Sequence, residues 1–380
     1  MRSCDVAVVG LGLMGSAALY ALGRRGAEVV GFDPLRVGEA RGSSHGSCRV
    51  FRRFNFENPA YTALSDQAFS GWRALEAHSG APLLIDCPVL EGGPAGSALV
   101  RDSRAARLAA GQAAGDMTGA EANAAFPAFD LPADWQVAVQ DSGGILLAEA
   151  ALRAFRGGAA TRIVPEVARL TPTPGGVHVR SASDEVMANT VIVAAGPWMA
   201  DILPELGSVL TITRQVVGWF APAAPEAVSL GAFPLFILDA PEACVYGFPD
   251  FEGRGVKAAQ HDHGPIADSD DWSAASDQEL GLVGAVVRRY IPGAAGPVAE
   301  RDTCLYTNTR PADLRPDGGD EFILDRLPRD PRIIVASACS GHGAKFATAI
   351  GEILADLAQD PKAQADPAFR LDRYSVFAGR

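Results

Sequence analysis

Asp5-Val-Ala-Val-Val9, Gly10-Leu-Gly-Leu-Met-Gly15 and Glu28-Val-Val-Gly-Phe32-Asp33 decide how this chain folds. The first stretch is short and apolar and ends at a glycine, the pattern of a strand buried on both faces. Ser16 to Arg25 then reads as a helix, with Gly26 as its stop. Glu28 to Phe32 is a second strand, and Asp33 follows it. The acid lies 23 residues after the first glycine, close to the ~20 of a dinucleotide-binding βαβ unit. Gly10 allows the tight turn, Gly12 lets backbone approach a pyrophosphate, and Gly15 lets helix and strand pack closely. The helix N-terminus offers free N–H groups to the anion, and Asp33 can accept from ribose hydroxyls. The pattern predicts dinucleotide binding and by itself leaves FAD and NAD both open.

Further apolar strands are expected at Thr190–Gly196 and Arg332–Ala336, the latter leading into Cys339-Ser-Gly-His-Gly343 and a helix from Phe346 to Ala358. Strands this far apart in sequence imply a discontinuous Rossmann-like domain with a second domain inserted. Residues 92–125 read as solvent-facing helices and 261–279 as an acidic surface excursion.

The chain has 380 residues, 48% of them apolar and 21% charged, which excludes a disordered or fibrous chain and suggests two domains. Its net charge of −12 argues against a nucleic-acid or anionic-membrane surface. Six cysteines without a CxxC pair argue against a disulfide framework or a zinc site, and for a reducing, cytoplasmic setting. Val6–Gly23 is uncharged, but its glycines and the Arg24-Arg25 behind it argue against a signal or membrane span. No metal is expected: His261-Asp-His263 has no further ligands nearby. Of 33 basic residues only Lys257, Lys345 and Lys362 are lysines. A lysine retained in an arginine-using chain is a candidate for work a guanidinium cannot do.

Seven motifs occur in order: Gly10–Gly15, Gly42-Ser-Ser-His45-Gly with Arg49-Val-Phe-Arg52, Arg214-Gln-Val-Val-Gly218, Tyr246-Gly-Phe-Pro249, Gly255-Val-Lys257, Cys304-Leu-Tyr-Thr307 and Ser340-Gly-His-Gly-Ala-Lys345. With them the chain resembles the monomeric sarcosine oxidase and N-methyltryptophan oxidase family of FAD-dependent amine oxidases, which includes pipecolate oxidases. The resemblance implies a Rossmann-like FAD-binding α/β domain (1–80, 145–212 and 305–380) and an α+β catalytic domain on an antiparallel sheet (81–144 and 213–304).

It implies that Gly10, Leu11, Gly12, Leu13, Met14 and Asp33 hold the ADP half of FAD. Ser43, His45 and Arg49 lie against the flavin in this reading, with Val167, Ala195 and Gly196 nearby. Cys304 matches the cysteine that carries FAD through a thioether, and Gly341, Gly343 and Lys345 approach the pyrimidine end of the ring. Arg52 and Lys345 match the pair that grips the substrate carboxylate, the bidentate role suited to arginine. Tyr246 and His261 line the pocket over the flavin, and Lys257 matches the lysine that promotes reaction with O2. The other five cysteines read as core or incidental.

The implied activity is oxidation of a secondary α-amino acid, N-methylated or cyclic, to an imine, with O2 reduced to H2O2 by a monomer. An FAD dehydrogenase or D-amino-acid-oxidase-like enzyme of primary amines is the alternative. Where sarcosine oxidases carry a His-Ala-Tyr-Gly-Glu-like stretch, this chain has Arg53-Phe-Asn-Phe-Glu-Asn-Pro59, which leaves the substrate's side chain open.

Overall fold

A computed structural model describes residues 2–55, 57, 60–112, 115–159, 161–261, 264–310 and 321–378. The opening strand runs Arg2–Val9, the helix Leu13–Arg24 and the next strand Val29–Phe32. The two strands pair in parallel, Val6 with Val29 through Val9 with Phe32. On its other edge Arg2–Val9 pairs in parallel with Glu185–Val193, which pairs in turn with Asp330–Ser337. Arg162–Val164 extends the parallel set beyond Val29–Phe32. The antiparallel strands Arg169–Thr173, Gly176–Arg180 and Ile323–Leu327 complete this eight-stranded sheet.

One face of the sheet is covered by Leu13–Arg24, Ala148–Gly158 and Ala347–Gln359. Ala347–Gln359 closes the sheet against Leu13–Arg24, where Ile350 and Leu354 sit in one apolar cluster with Leu19 and Leu22, all four fully buried. Burial of each such side chain contributes about 1.5–3 kcal/mol, and this cluster anchors the turn at Gly10–Gly15 from below.

A second eight-stranded sheet runs in the order Val298–Thr309, Leu210–Phe220, Val256–Gln260, Cys244–Phe248, Leu235–Asp239, Val89–Gly93, Gln136–Gln140, Gly115–Thr118. It is antiparallel except where Leu235–Asp239 runs parallel to Val89–Gly93. Val298–Thr309 and Leu210–Phe220 form its longest pairing, Leu210 with Thr309 through Phe220 with Val298. Both strands cross the expected domain limits at 212 and 304, so one continuous ribbon leads from the first sheet's neighbourhood into the second. Cys48–Phe51, Gly144–Leu147 and Leu84–Asp86 make a small third sheet between the two.

Residues 92–125 are not helical throughout. The helices Ala98–Ala109 and Gly119–Ala125 flank the strand Gly115–Thr118, and Ser103 and Arg107 of the first helix are buried. The acidic stretch expected as a surface excursion packs inward at Trp272, whose ring meets His45 edge-on at 5.8 Å. Among the described residues no helix is long and apolar enough to cross a membrane, and no cluster of His, Cys, Asp or Glu could hold a metal ion.

Candidate active site

A cavity of about 910 Å³ runs from the glycine turn to the inner face of the second sheet. Every residue named above as a cofactor-binding or catalytic candidate borders it. His263 lies outside the described residues.

At the dinucleotide end, Gly10 has φ 88°, which only glycine adopts without strain, and a Cβ there would lie 2.5 Å from the Ala194 carbonyl oxygen. A Cβ on Gly15 would lie 1.8 Å from the Gly10 oxygen. No side chain at the N-cap, Gly12, caps the helix that begins at Leu13. Its amide donors are held instead by Ser44 Oγ, 3.0 Å from Leu13 N, or face the cavity. The Asp33 carboxylate is more engaged than the ribose role alone requires. It accepts from Leu11 N at 2.6 Å and from Leu35 N at 2.8 Å. Arg156 donates to the Leu11 carbonyl oxygen and stands 3.4 Å from Asp33. Burial pushes the Asp33 pKa up, and the two N–H donors and Arg156 oppose it. Asp33 therefore locks the turn, with lone pairs left toward the cavity. A glycine turn, a helix start whose N-cap residue supplies no side chain, and a long adjoining cavity fit a dinucleotide such as FAD.

In the middle of the cavity the loop 42–48 is tied by its own side chains. Arg49 donates to the carbonyls of Ser43, His45 and Cys48 at 2.9, 2.6 and 2.7 Å. Ser43 Oγ donates to Leu305 O at 2.6 Å, and His45 bonds Gly42 O through Nδ1 at 2.6 Å. Cys304 sits opposite, on Val298–Thr309. Burial pushes its thiol pKa up to about 11, and the Arg49 and Lys257 charges pull the other way. Lys257 Nζ is boxed by Trp219 and Phe248, 5.1 and 5.2 Å from the ring centroids, and donates to Cys48 Sγ at 3.6 Å. Cys48 and Cys339 both border the cavity, and Cys48 also belongs to a buried apolar cluster with Val89, Ile145 and Phe248, as expected of a core cysteine. Val167 is at the rim, 64% exposed.

At the far end Arg52 and Lys345 are 4% and 2% exposed. Arg52 pairs with Glu57 and lies 3.4 Å from Glu91. Lys345 Nζ donates to His342 O at 3.0 Å, and burial brings its pKa down to about 7 against the attraction of Glu57. Burial alone would raise the Glu57 pKa, but Arg52, Lys345 and His342 hold it well below the usual carboxylate range. Tyr246 and His261 meet edge-on at 6.2 Å, with Tyr306 6.5 Å from His261. Burial raises the pKa of both tyrosines, so both phenols are neutral. Gly341 and Gly343 serve the protein's own packing: a Cβ there would meet the Tyr306 ring at 2.6 Å or Ala338 O at 1.8 Å.

Four contributors escaped the sequence reading. Arg156, Glu91 and Glu57 act through pairings, and Trp72 donates its Nε1–H to Lys345 O at 2.8 Å from 273 residues away. Only Glu91, an acid inside the apolar run Pro88-Val-Leu-Glu-Gly92, left a local signal.

A family model described as FAD dependent oxidoreductase matches residues 5–357. Monomeric sarcosine oxidase from Bacillus sp. (strain B-0618) is 30% identical over 374 residues, 95% of this chain and 94% of that protein. N-methyl-L-tryptophan oxidase from Yersinia pestis (strain Pestoides F) is 29% identical over 384 residues, 97% and 99% of the two chains. The structure of NikD, an amino acid oxidase, superposes with a TM-score of 0.82 over 96% of both chains at 21% identity and shares the fold. A glycine turn and two buried cations, Arg52 and Lys345, thus border one cavity, and the chain belongs to the family of FAD-dependent oxidoreductases, in the group that includes monomeric sarcosine oxidase and N-methyl-L-tryptophan oxidase.

Proposed function

We propose that the protein oxidises secondary α-amino acids, N-methylated or cyclic, at the CH–NH bond. The observation that carries this reading is the meeting of two buried cations, Arg52 and Lys345, with an aromatic wall in the cavity that also holds the glycine turn. An α-carboxylate entering there competes with Glu57 for the Arg52 guanidinium and meets the Lys345 amine beside it, both desolvated, where charge-assisted hydrogen bonds are strongest. Tyr246, His261, Tyr306 and Ile237 border the remaining space and suit an apolar body next to an amine.

FAD, bound along the turn, supplies a two-electron acceptor. The overall reaction removes a hydride equivalent from carbon and a proton from nitrogen, leaving C=N, and the imine is hydrolysed after release. With O2 as final acceptor, two electrons and two protons give H2O2. The Lys257 ammonium, held dry between Trp219 and Phe248, stabilises negative charge developing on oxygen.

Cys304 is proposed as the covalent attachment point for FAD; Arg49 and Lys257 favour the thiolate that attachment needs against the burial that opposes it. In this reading 1–80, 145–212 and 305–380 form the FAD-binding domain, and 81–144 and 213–304 the substrate domain. A monomer in a reducing, cytoplasmic compartment suits the six unpaired cysteines.

The test is oxygen consumption and peroxide release by purified holoenzyme across N-methyl amino acids, cyclic imino acids and D-amino acids. Activity confined to primary amines, or electrons passed to a dye with no oxygen consumed, overturns the proposal.

A further inference from the structure

We infer that Glu91 is a positioning residue of the carboxylate clamp, holding the Arg52 guanidinium from outside the cavity and setting how much of its charge a substrate carboxylate meets. The inference rests on the reading of Arg52 as a carboxylate ligand. Glu91 is at the middle of the strand Val89–Gly93, every residue of which is buried, and is itself 0% exposed. A strand position of this kind ordinarily takes Val or Ile. A carboxylate there is costly unless all its lone pairs are met.

Three donors meet it, for about four acceptor sites. Ser103 Oγ donates to Oε2, Gln140 Nε2 donates to Oε2 at 2.9 Å, and Arg52 Nη1 stands 3.4 Å from Oε1. Three converging donors, one of them a cation, favour the charged carboxylate and oppose the burial that raises the Glu91 pKa. Arg52 borders the cavity and Glu91 does not.

The same network grips the chain beside Arg52. Gln140 Oε1 accepts from Phe54 N at 3.1 Å, and Gln140 Nε2 donates to Phe54 O at 3.1 Å. Arg52 is therefore tied to the second sheet twice, by charge through Glu91 and by backbone through Gln140. Arg52 carries one positive charge and faces two acids, Glu57 and Glu91. An incoming carboxylate competes with both, and Glu91, which the ligand cannot displace from behind, is a fixed discount on the clamp.

Acetate serves as the probe, because it has a carboxylate and no amine, and its dissociation constant is read by calorimetry on holoenzyme. Glu91→Gln removes the discount and keeps the side chain's shape. Acetate is expected to bind at least tenfold more tightly, the effect of one unit charge within about 12 Å of a buried anion site at an effective dielectric of about 20. Ser103→Ala withdraws a donor that favours the charged form of Glu91, so it is expected to tighten acetate in the same direction and by less. Loosened packing would weaken binding in both variants, so tightening in both separates positioning from structure. An unchanged or weakened acetate constant in Glu91→Gln overturns the inference. If Glu91→Gln gives no folded holoenzyme, an unchanged or weakened constant in Ser103→Ala overturns it. Arg52→Ala separates the two readings: if acetate binding is unaffected there, the clamp itself fails, and the role of Glu91 fails with it.

Discussion

Lys345 gives the sharpest test of the carboxylate clamp, because its burial converts into a pH profile. Burial lowers its pKa from 10.5 to about 7, with Glu57 and Glu91 opposing that shift and Arg52 adding to it. The ammonium is therefore intact below about pH 7 and lost as pH rises through that value. The protonated fraction falls from about nine-tenths at pH 6 to about one-hundredth at pH 9. If a carboxylate bound only the protonated form, its affinity would fall about 90-fold across this window. A hydrogen bond to a charged group is worth ~1.5–3 kcal/mol, or about 10- to 150-fold. Weighting the two forms by these fractions, the acetate dissociation constant is thus expected to rise about 8- to 55-fold between pH 6 and pH 9. Acetate has no amine, so the ligand's own charge is constant over the range. In Lys345→Met any remaining slope belongs to the other groups around the site, Glu91 and His342 among them, and the difference from the native profile belongs to Lys345. A flat native profile, or an equal rise in Lys345→Met, would refute the assignment.

Other outcomes follow from the same geometry. In Cys304→Ala, acid precipitation should leave the flavin in the supernatant instead of the pellet; a yellow pellet from the variant would disprove the attachment point. Lys257→Met should keep anaerobic reduction by substrate and slow reoxidation by O2 at least tenfold, read by stopped-flow absorbance. Gly10→Ala forces a Cβ to 2.5 Å from Ala194 O at a positive φ; flavin content per protein should drop to a small fraction of the native value. Trp72→Phe leaves the Lys345 carbonyl without its donor in a buried place, which should cost about 1–3 kcal/mol in denaturant unfolding, and acetate affinity should fall with it.

Much of this site was legible in sequence because its determinants are local. The turn at Gly10, the helix behind it and the strand to Asp33 lie within a few dozen residues, and glycine spacing alone dictates which backbone can approach a ligand. The scarcity of lysine singled out Lys257 and Lys345, and both border the cavity. The segment 92–125 was misread as helices alone because Gly115–Thr118 has no alternating pattern and owes its strand to a partner, Gln136–Gln140. Asp33 was read for the ribose alone, since nothing near it in sequence announces Arg156.

What the sequence determined by itself, then, is the βαβ opening, the order of motifs and the identity of the charged groups at the cavity. Tertiary structure alone decided how those groups are paired. Arg52 is set against Glu91, Lys257 against Cys48 and Lys345 against Trp72, across separations of 39, 209 and 273 residues. Such pairings depend on strand order and register, which local periodicity does not encode. Burial then does the chemical work: it brings an ordinary lysine down to a pKa of about 7 and makes the charge of a strand glutamate felt at the clamp.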